Sequence, residues 1–316
     1  MSRPVILLTQ PIHSSSMARL ADVAELRVAS DRSERTLMAA IGEAAALVVR
    51  DPITPAIIEA GRELRIVARH GVGVDYIPVE LCSRLRIPVT ITPDANATSV
   101  AEWTIGAMIA LSHHFGIAMR RAREGEWKNR DGLTGFELRG RTLGIVGLGR
   151  IGRQVARIAS TGLQMRVLAT RPRQAAPTDI PGRIDFVPLE QLLGASDIVS
   201  LHLPYGPETH HIIGRERLAL MRPGAILINS ARGGLIDTAA LAATITGKRL
   251  SGAALDGVAE GVLPDDHPLL HQDNVIVTPH AAALTQEAMQ RMGDAVADDI
   301  LRVLAGKKPT NQVNSF

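Results

Sequence analysis

The chain alternates between short apolar runs and longer amphipathic stretches. In its first part, aliphatic and β-branched runs predict strands at 5–8, 25–29, 47–49, 64–68 and 89–92. Helical patterns separate these runs, as at 53–60, where Thr54 can cap a helix whose first turn takes Pro55. Strands at this spacing with helices between them indicate βαβ units on a parallel sheet, so this part predicts one α/β domain.

A second series of apolar runs follows the mixed-charge, glycine-containing stretch at 120–141. It predicts strands at 143–146, 165–170, 198–203, 225–229, 252–256 and 275–278. These runs lack polar alternation, which is typical of parallel strands covered on both faces by crossover helices. We therefore expect a second α/β domain.

Two helices are predicted to link the halves. The first begins at Ser99, with Glu102 at the spacing of a capping box, and continues to about 111. The second covers 285–305 and ends before Gly306. If this last helix packs back on the first domain, that domain consists of 1–98 plus 285–316. The second domain, 99–284, is then inserted into it, with a cleft between the two.

Composition narrows the possible functions. A length of 316 residues fits about two domains, and 46% hydrophobic against 21% charged residues is typical of a globular chain. With 3% aromatic residues and a net charge of +3, the chain lacks the features of a nucleic-acid or anionic-membrane binder, so we expect a small-molecule partner. The single Cys82 excludes an intramolecular disulfide framework. We find no signal peptide or membrane span, and expect a cytoplasmic protein.

A glycine-rich segment follows the predicted strand at 143–146. Gly147, Gly149 and Gly152 have G-x-G-x-x-G spacing, and an apolar helical pattern comes after them. The first glycine permits a tight turn, the second lets the backbone approach a pyrophosphate, and the third lets helix and strand pack closely. This context predicts a dinucleotide-binding site.

The residues about twenty positions further on bear on the choice of dinucleotide. An acidic residue that binds the adenosine ribose is expected there, but the chain has Arg171 and Arg173. Arginines suit a 2′-phosphate by charge and geometry, which favours NADP(H), with NAD(H) possible. The alternative is that both arginines are solvated loop residues.

The remaining motifs resemble the D-isomer-specific 2-hydroxyacid dehydrogenases, in the branch with phosphoglycerate dehydrogenase and hydroxypyruvate or glyoxylate reductases. Motifs in the family's order cover almost the whole chain, and include RHGVGVDYIPV from Arg69, SLHLPYGPETHHIIG from Ser200, MRPGAILINSARGGLID from Met221 and NVIVTPHAA from Asn274. The resemblance implies an α/β fold with a Rossmann nucleotide-binding domain inserted into a flavodoxin-like catalytic domain. It also implies a homodimer.

The resemblance assigns roles to individual positions. Arg232 is expected to bind the substrate carboxylate and polarise the keto oxygen, and His280 to exchange a proton with that oxygen. The expected substrate-binding residues are Arg50, Arg69, Val72 and Gly73. For the cofactor, the resemblance adds Arg150, Ile151, Pro204, Ser230, Ala231 and Asp256 to the glycines and Arg171. No metal is implied.

One position departs from the family pattern. The family pairs its histidine with a glutamate five residues after the aspartate at position 256, and this chain has Gly261 there. That carboxylate orients the imidazole and raises its pKa. The neighbouring Glu260 can take over this role if the loop turns its side chain, or it can be a solvated loop acid.

Two hypotheses of different classes follow. The first is an NAD(P)-dependent D-2-hydroxyacid dehydrogenase that acts on a hydroxypyruvate, glyoxylate or 3-phosphoglycerate type of substrate, mainly as a 2-oxo-acid reductase. The second is a dinucleotide-sensing interaction protein of the same fold, with catalysis weakened because of Gly261. Cofactor binding without turnover would distinguish the second from the first.

Overall fold

The computed structural model describes residues 3–170, 184–257 and 263–316, and the chain folds as two compact units. The first unit consists of Met1–Asn96 and Leu284–Phe316, so it is assembled from two separate segments. The second unit is Ala97–Ala283. The helix predicted near Ser99 therefore begins the second unit, and the last helix of the chain belongs to the first.

The first unit is a parallel sheet covered by helices. Its strands are β1 (Val5–Leu8), β2 (Glu25–Val28), β3 (Ala44–Val49), β4 (Ile66–Arg69) and β5 (Val89–Thr90). Its helices are α1 (Ser14–Ala21), α2 (Glu34–Ile41), α3 (Pro55–Ala60), α4 (Val79–Arg84) and α11 (Gln286–Leu304). The strand order β2-β1-β3-β4-β5, parallel throughout, is the flavodoxin-like order.

Both faces of this sheet are buried. In β1, Val5 and Leu7 join one apolar cluster, while Ile6 and Leu8 join another on the opposite face. The second cluster also contains Val296 and Ile300 of α11, so this helix completes the core of the unit. The β5 edge is covered by the end of the chain, through an antiparallel bridge between Thr90 and Gln312.

The second unit contains a larger parallel sheet. Its strands are β6 (Thr142–Val146), β7 (Arg166–Ala169), β8 (Ile184–Phe186), β9 (Ile198–Leu201), β10 (Ile226–Asn229), β11 (Gly252–Asp256) and β12 (Val275–Thr278). Its helices are α5 (Ala97–Ser112), α6 (Phe115–Arg123), α7 (Arg150–Arg157), α8 (Leu189–Ala195), α9 (Arg215–Leu220) and α10 (Thr238–Thr246).

The strand order is β12-β11-β10-β9-β6-β7-β8, with every pair parallel. This is Rossmann topology. The strands β7 and β8 are added on one side of β6, and the strands from β9 onward are added on its other side. Leu143 and Ile145 of β6 lie in one cluster, while Val146 lies in another on the other face. The α/β fold with two parallel sheets, expected from the apolar runs, is confirmed.

One predicted helix start and one predicted capping contact are wrong. Helix α5 begins at Ala97, so Ser99 lies inside the helix and is buried instead of capping it. Thr54 precedes α3 as expected, but its side chain makes no capping hydrogen bond and its hydroxyl oxygen is buried without a partner among the described residues. In both cases the position of the helix is decided by packing of its apolar face. No helix in the described ranges is long and apolar enough to cross a membrane.

Candidate active site

The glycine-rich loop connects β6 to α7, and two of its glycines are required by close packing. Gly147 has a φ of 101°, and a Cβ atom there would lie 2.7 Å from the carbonyl oxygen of His202. A Cβ atom on Gly152 would overlap the carbonyl oxygen of Gly147. The first and third glycines therefore let β6, α7 and the loop after β9 approach one another.

Gly149 differs from its two neighbours because a Cβ atom on it would meet nothing within 4 Å. It is the N-cap residue of α7, and no described side chain caps this helix. The N–H groups of the first turn of α7 lie at the positive end of the helix dipole, which is an arrangement that binds phosphate. The loop fits the pyrophosphate of a dinucleotide.

Other predicted cofactor residues surround this loop. Arg150 is the exposed first residue of α7, and Ile151 packs partly into the core of the unit. Thr170, directly after β7, accepts a hydrogen bond from the Gly147 N–H over 3.2 Å. Arg171 and Arg173 lie outside the described residues, so their prediction as 2′-phosphate ligands stays untested.

The loop after β9 lies beside the glycine loop because β9 pairs with β6. Pro204 is exposed there, and its carbonyl oxygen accepts a hydrogen bond from the Thr209 hydroxyl. The ring nitrogen Nε2 of His202 lies 2.9 Å from the Ser200 hydroxyl, and Nδ1 is buried without a described partner. Burial lowers the pKa of His202 to about 4, so this ring is neutral at physiological pH.

The segment after β10 carries Arg232 on a braced turn. The buried Asn229 side chain accepts a hydrogen bond from the Ala231 N–H and donates one to the Arg232 carbonyl, over 3.0 and 2.7 Å. The hydroxyl of Ser230 lies 3.2 Å from that of Thr104 in α5. The half-buried Arg232 donates from Nη1 to the Ala231 carbonyl oxygen. Asn229 therefore fixes the backbone from which this guanidinium projects.

The turn after β12 carries His280 and is held by Asp256, the last residue of β11. The buried Asp256 carboxylate accepts hydrogen bonds from the Thr278 hydroxyl, the Ala281 N–H and the Ala282 N–H, over 2.6, 2.6 and 2.9 Å. His280 is exposed and has a φ of 55°, a left-handed conformation that is uncommon for a residue with a side chain. Because both Asp256 oxygens bind this turn, the aspartate positions His280.

The segment that follows β11 carries Glu260, the predicted partner of His280. Glu260 and Gly261 lie outside the described residues. Gly257, which precedes them, has a φ of 94°, and a Cβ atom on it would lie 3.2 Å from Nδ1 of His280. The Nδ1 side of the ring thus faces the start of the segment in which Glu260 lies.

The strand order brings the predicted residues of the second unit together. Arg232, Asp256 and His280 follow three neighbouring strands, β10, β11 and β12, at their carboxyl ends. The glycine loop and Pro204 follow β6 and β9 at the same edge. In open α/β sheets this edge binds ligands, with the topological switch between β6 and β9 as the preferred place.

In the first unit the predicted substrate residues follow β3 and β4, again at the carboxyl ends of the strands. Arg69 is 6% exposed, and it donates from Nη1 to the carbonyls of Val49 and Arg50 and from Nε to that of Gly73, at 2.9 to 3.1 Å. Its guanidinium also lies 4.6 Å from the centre of the Tyr76 ring. Arg69 is thus placed to shape the loop that carries Val72 and Gly73.

Arg50 is less deeply buried than Arg69. Its backbone N–H binds the Thr9 hydroxyl, and its Nη1 donates to the Pro11 carbonyl over 2.6 Å. Burial lowers the pKa of its guanidinium, although the neighbouring Asp51 acts in the opposite direction. The structure therefore places the arginine at the carboxyl end of β3, beside the segment that follows β1.

His70 is a buried residue of this region that the sequence did not single out. It is 5% exposed, and its Nε2 is buried without a described hydrogen-bond partner. Burial, with the nearby charges of Arg50 and Arg69, lowers the pKa of His70 to about 4. His70 is therefore neutral at physiological pH, and it precedes the loop that carries Val72 and Gly73.

Comparison with protein families gives a match that covers most of the second unit. Residues 105–282 fit the model described as "D-isomer specific 2-hydroxyacid dehydrogenase, NAD binding domain". The chain belongs to the D-isomer specific 2-hydroxyacid dehydrogenase family. No group of three or more metal-binding side chains occurs among the described residues of this family member.

Relatives of this dehydrogenase family extend the similarity to the whole chain. D-3-phosphoglycerate dehydrogenase of Methanocaldococcus jannaschii is 41% identical over 98% of the chain, which spans 59% of that protein's length. Hydroxypyruvate reductase of Thermotoga maritima is 39% identical over 96% of the chain and 99% of its own length. The chain thus matches the full length of the reductase and about three fifths of the phosphoglycerate dehydrogenase.

Solved structures show the same fold. A protein of Thermus thermophilus matches with a TM-score of 0.90 and 34% identity, over 98% of this chain and 100% of that one. D-lactate dehydrogenase of Aquifex aeolicus, complexed with NAD and lactic acid, has a TM-score of 0.85 and 28% identity over 96% of each chain. The NADPH-dependent glyoxylate/hydroxypyruvate reductase of Sinorhizobium meliloti, in complex with NADP and malonate, has the same TM-score and identity over 99% and 97%.

In this dehydrogenase-family chain, sequence reasoning missed the residues that brace the site. Asn229 and Thr278 occur in the motifs INSARGG and VTPH, so a polar residue at the end of an apolar strand was the available signal. Thr104 had no such signal, because it lies in a helix far from Ser230 in sequence. The missed residues hold the turns that carry Arg232 and His280.

Proposed function

We propose that the chain is an NAD(P)-dependent D-2-hydroxyacid dehydrogenase that works mainly as a reductase of small 2-oxo acids. One observation carries the proposal: an open glycine loop, an arginine and a histidine follow neighbouring strands at one edge of the sheet of the second unit. The family membership and the names of the relatives support the same reaction class.

The chain's own residues would bind the acid and move one proton. The glycine loop would hold the pyrophosphate of the dinucleotide, whose reduced nicotinamide would supply the hydride that the carbonyl carbon accepts. The Arg232 guanidinium binds the carboxylate and polarises the keto oxygen. Nε2 of His280 gives its proton to that oxygen during reduction and takes it back during oxidation, since Nδ1 faces Gly257. Asp256 and Asn229 hold these two groups in place.

The substrate class follows from the first unit and from the relatives. We propose that the Val72–Gly73 loop binds the substrate carboxylate through its N–H groups. Arg69 stabilises this loop by donating a hydrogen bond to the Gly73 carbonyl. Because Arg69 binds three backbone carbonyls, Arg50 is the better cation for a distant phosphate. Arg50 would bind the phosphate of a 3-phosphoglycerate type of substrate, whereas hydroxypyruvate and glyoxylate need no such cation, so the proposal keeps all three substrate types.

Three finer statements belong to the same proposal. NADP(H) is the preferred cofactor because Arg171 and Arg173 replace the expected acidic residue, while structural neighbours bind either NAD or NADP. Glu260 is proposed to orient His280 in place of the glutamate missing at Gly261.

We also propose a cytoplasmic homodimer, in which the exposed side chains of Phe115, Met119 and Trp127 supply an apolar contact.

The function is tested by following oxidation of NADPH and NADH with a panel of 2-oxo acids that includes hydroxypyruvate, glyoxylate and 3-phosphohydroxypyruvate. We expect turnover with at least one acid and a preference for NADPH. His280→Ala is expected to lower kcat roughly 100- to 10,000-fold, because the proton donor is removed. Arg232→Lys is expected to raise the KM of the acid, because a lysine lacks the bidentate guanidinium.

His113→Ala, which removes an exposed histidine elsewhere in the second unit, is the matched control and should keep wild-type activity. Absence of turnover with every acid and both cofactors overturns the proposed function. If NADPH binds tightly under those conditions and Gly261→Glu creates activity, the chain is instead a dinucleotide-sensing protein. Glu260→Gln should shift the pH profile of kcat if Glu260 serves His280.

A further inference from the structure

The ring of Tyr205 lies against the turn that follows Arg232. This turn is a 3₁₀ helix over Gly233–Leu235, with Arg232 at its N-cap. A Cβ atom on Gly234 would overlap the Tyr205 ring, with Cζ at 2.8 Å and Cδ2 at 3.1 Å. The tyrosine comes from the loop after β9, so the contact joins two loops at the carboxyl edge of one sheet.

Two histidine rings lie beside the tyrosine. Nδ1 of His210 lies 3.1 Å from the Tyr205 hydroxyl, and the rings meet edge to face with centres 6.0 Å apart. His210 in turn stacks on His211, with ring centres 3.9 Å apart and planes inclined by 20°. The tyrosine and the two histidines thus form a row of three neighbouring rings.

The backbone fastens the same turn. The His211 N–H donates to the Gly234 carbonyl over 2.8 Å, and Ile213 forms a parallel bridge with Ile236. Asn229 braces the other end of the turn through Ala231 and Arg232. Within this framework, Tyr205 supplies a side-chain contact at the position two residues after Arg232.

We propose that Tyr205 is a positioning residue that fixes the direction of the Arg232 guanidinium by packing on Gly234. The proposal rests on the proposed function, in which Arg232 binds the substrate carboxylate. Because residue 234 is a glycine, the Tyr205 ring contacts the backbone of the turn directly. A shift of the ring therefore moves the turn itself and not merely a flexible side chain. Since small misplacements of a binding group reduce rate and affinity strongly, the ring is a determinant of substrate affinity.

The first test compares Tyr205→Ala with Tyr205→Phe in steady-state kinetics. The alanine variant is expected to raise the KM of the 2-oxo acid roughly tenfold, because Arg232 is less well held. The phenylalanine variant keeps the ring carbons that touch Gly234 and should stay within about twofold of wild type. The Kd of NADPH, measured by fluorescence without the acid, should be unchanged in both variants, and the thermal unfolding midpoint reports folding.

The second test uses the close contact itself. Gly234→Ala in the wild-type background places a methyl group against the ring and should raise the KM of the acid. In the Tyr205→Ala background the ring is gone, so the same substitution should add little to the effect. This non-additivity is specific to two residues that act through one contact.

The outcomes separate the two proposals. No turnover by wild type overturns the proposed function and this inference with it. Turnover by wild type together with an unchanged KM in Tyr205→Ala overturns this inference alone. Strictly additive effects of Tyr205→Ala and Gly234→Ala, or a Tyr205→Phe variant as impaired as Tyr205→Ala, also overturn it.

Discussion

At the scale of single residues, the candidate site depends on polar groups whose role is to hold other groups. Asp256 binds the His280 turn with both carboxylate oxygens, and Asn229 binds the Arg232 turn with its amide. Such buried hydrogen bonds are costly to leave unmade, so each one restricts the backbone that carries a reacting side chain. Both residues could be located in motifs, but their partners could not.

His70 allows a prediction at this scale. An unfolded histidine has a pKa near 6.5, whereas the pKa of folded His70 is lowered to about 4. Between these values the unfolded chain binds a proton that the folded chain does not, so the free energy of unfolding falls as the pH falls from 6.5 towards 4. In His70→Asn this fall should be smaller, by about 3 kcal/mol at most.

Urea unfolding at pH 7.5 and at pH 4.5 measures the effect. His113→Asn, which changes an exposed histidine, is the control and should keep the wild-type difference between the two conditions. Part of the fall should persist in His70→Asn, because the pKa of His202 is lowered in the same direction. An identical pH dependence in His70→Asn and wild type would contradict the prediction.

At the scale of elements, the β6–loop–α7 unit could be predicted in full, because its glycines serve a local geometry. The start at Ser99 and the side-chain cap of Thr54 could not, because a residue type suited to capping does not by itself decide where a helix packs. Strand β8 was not predicted either, because its three partly buried residues carry no long apolar run. Local signals therefore located the buried elements better than those at the margin of the sheet.

The glycine loop gives a prediction that separates binding from stability. Gly149→Ala adds a methyl group in open space, and should raise the Kd of NADPH roughly tenfold, about 1.4 kcal/mol, because the group projects where a pyrophosphate is proposed. Gly152→Ala forces an atom against the Gly147 carbonyl, and should lower the free energy of unfolding by about 1–3 kcal/mol.

Fluorescence titration with NADPH and thermal unfolding of the same two variants provide the measurement. The two substitutions control for each other, since they add the same methyl group three residues apart. The interpretation fails if Gly149→Ala binds NADPH as wild type does, or if Gly152→Ala unfolds at the wild-type temperature.

At the scale of the whole molecule, the core of the first unit is completed by the segment Leu284–Phe316, which follows the second unit along the chain. The α11 helix supplies one face of its core, and Asn314 binds Val89, Ser83 and Ile87 near the sheet edge. The helical pattern at 285–305 predicted this helix, and its return to the first domain was considered, but the residues that complete the core depend on contacts between residues more than 200 positions apart.

The proposed homodimer provides the prediction at this scale. Phe115 and Met119 lie on one face of α6 and are 47% and 52% exposed, and Trp127 in the following loop is 75% exposed. Arg121 holds this loop on the helix through the carbonyls of Asn129 and Asp131. Such an exposed apolar patch is typical of an interface, so Trp127→Asp should convert a dimer into a monomer.

Size-exclusion chromatography with light scattering measures the mass in solution. Leu220→Asp, which places the same charge at an exposed leucine of α9, is the matched control and should stay dimeric. A wild-type mass equal to that of one chain would refute the homodimer, and a dimeric Trp127→Asp variant would place the interface elsewhere.

The sequence by itself determined the two parallel sheets, the dinucleotide loop and the positions after strands where Arg232 and His280 occur. These features depend on periodicity, glycine spacing and strand ends, which are properties of neighbouring residues. Only the tertiary structure decided that β10, β11 and β12 lie side by side, that Asp256 binds the His280 turn, and that the Tyr205 ring lies against Gly234. Those facts arise from packing between distant segments, and a pattern along the chain does not contain them.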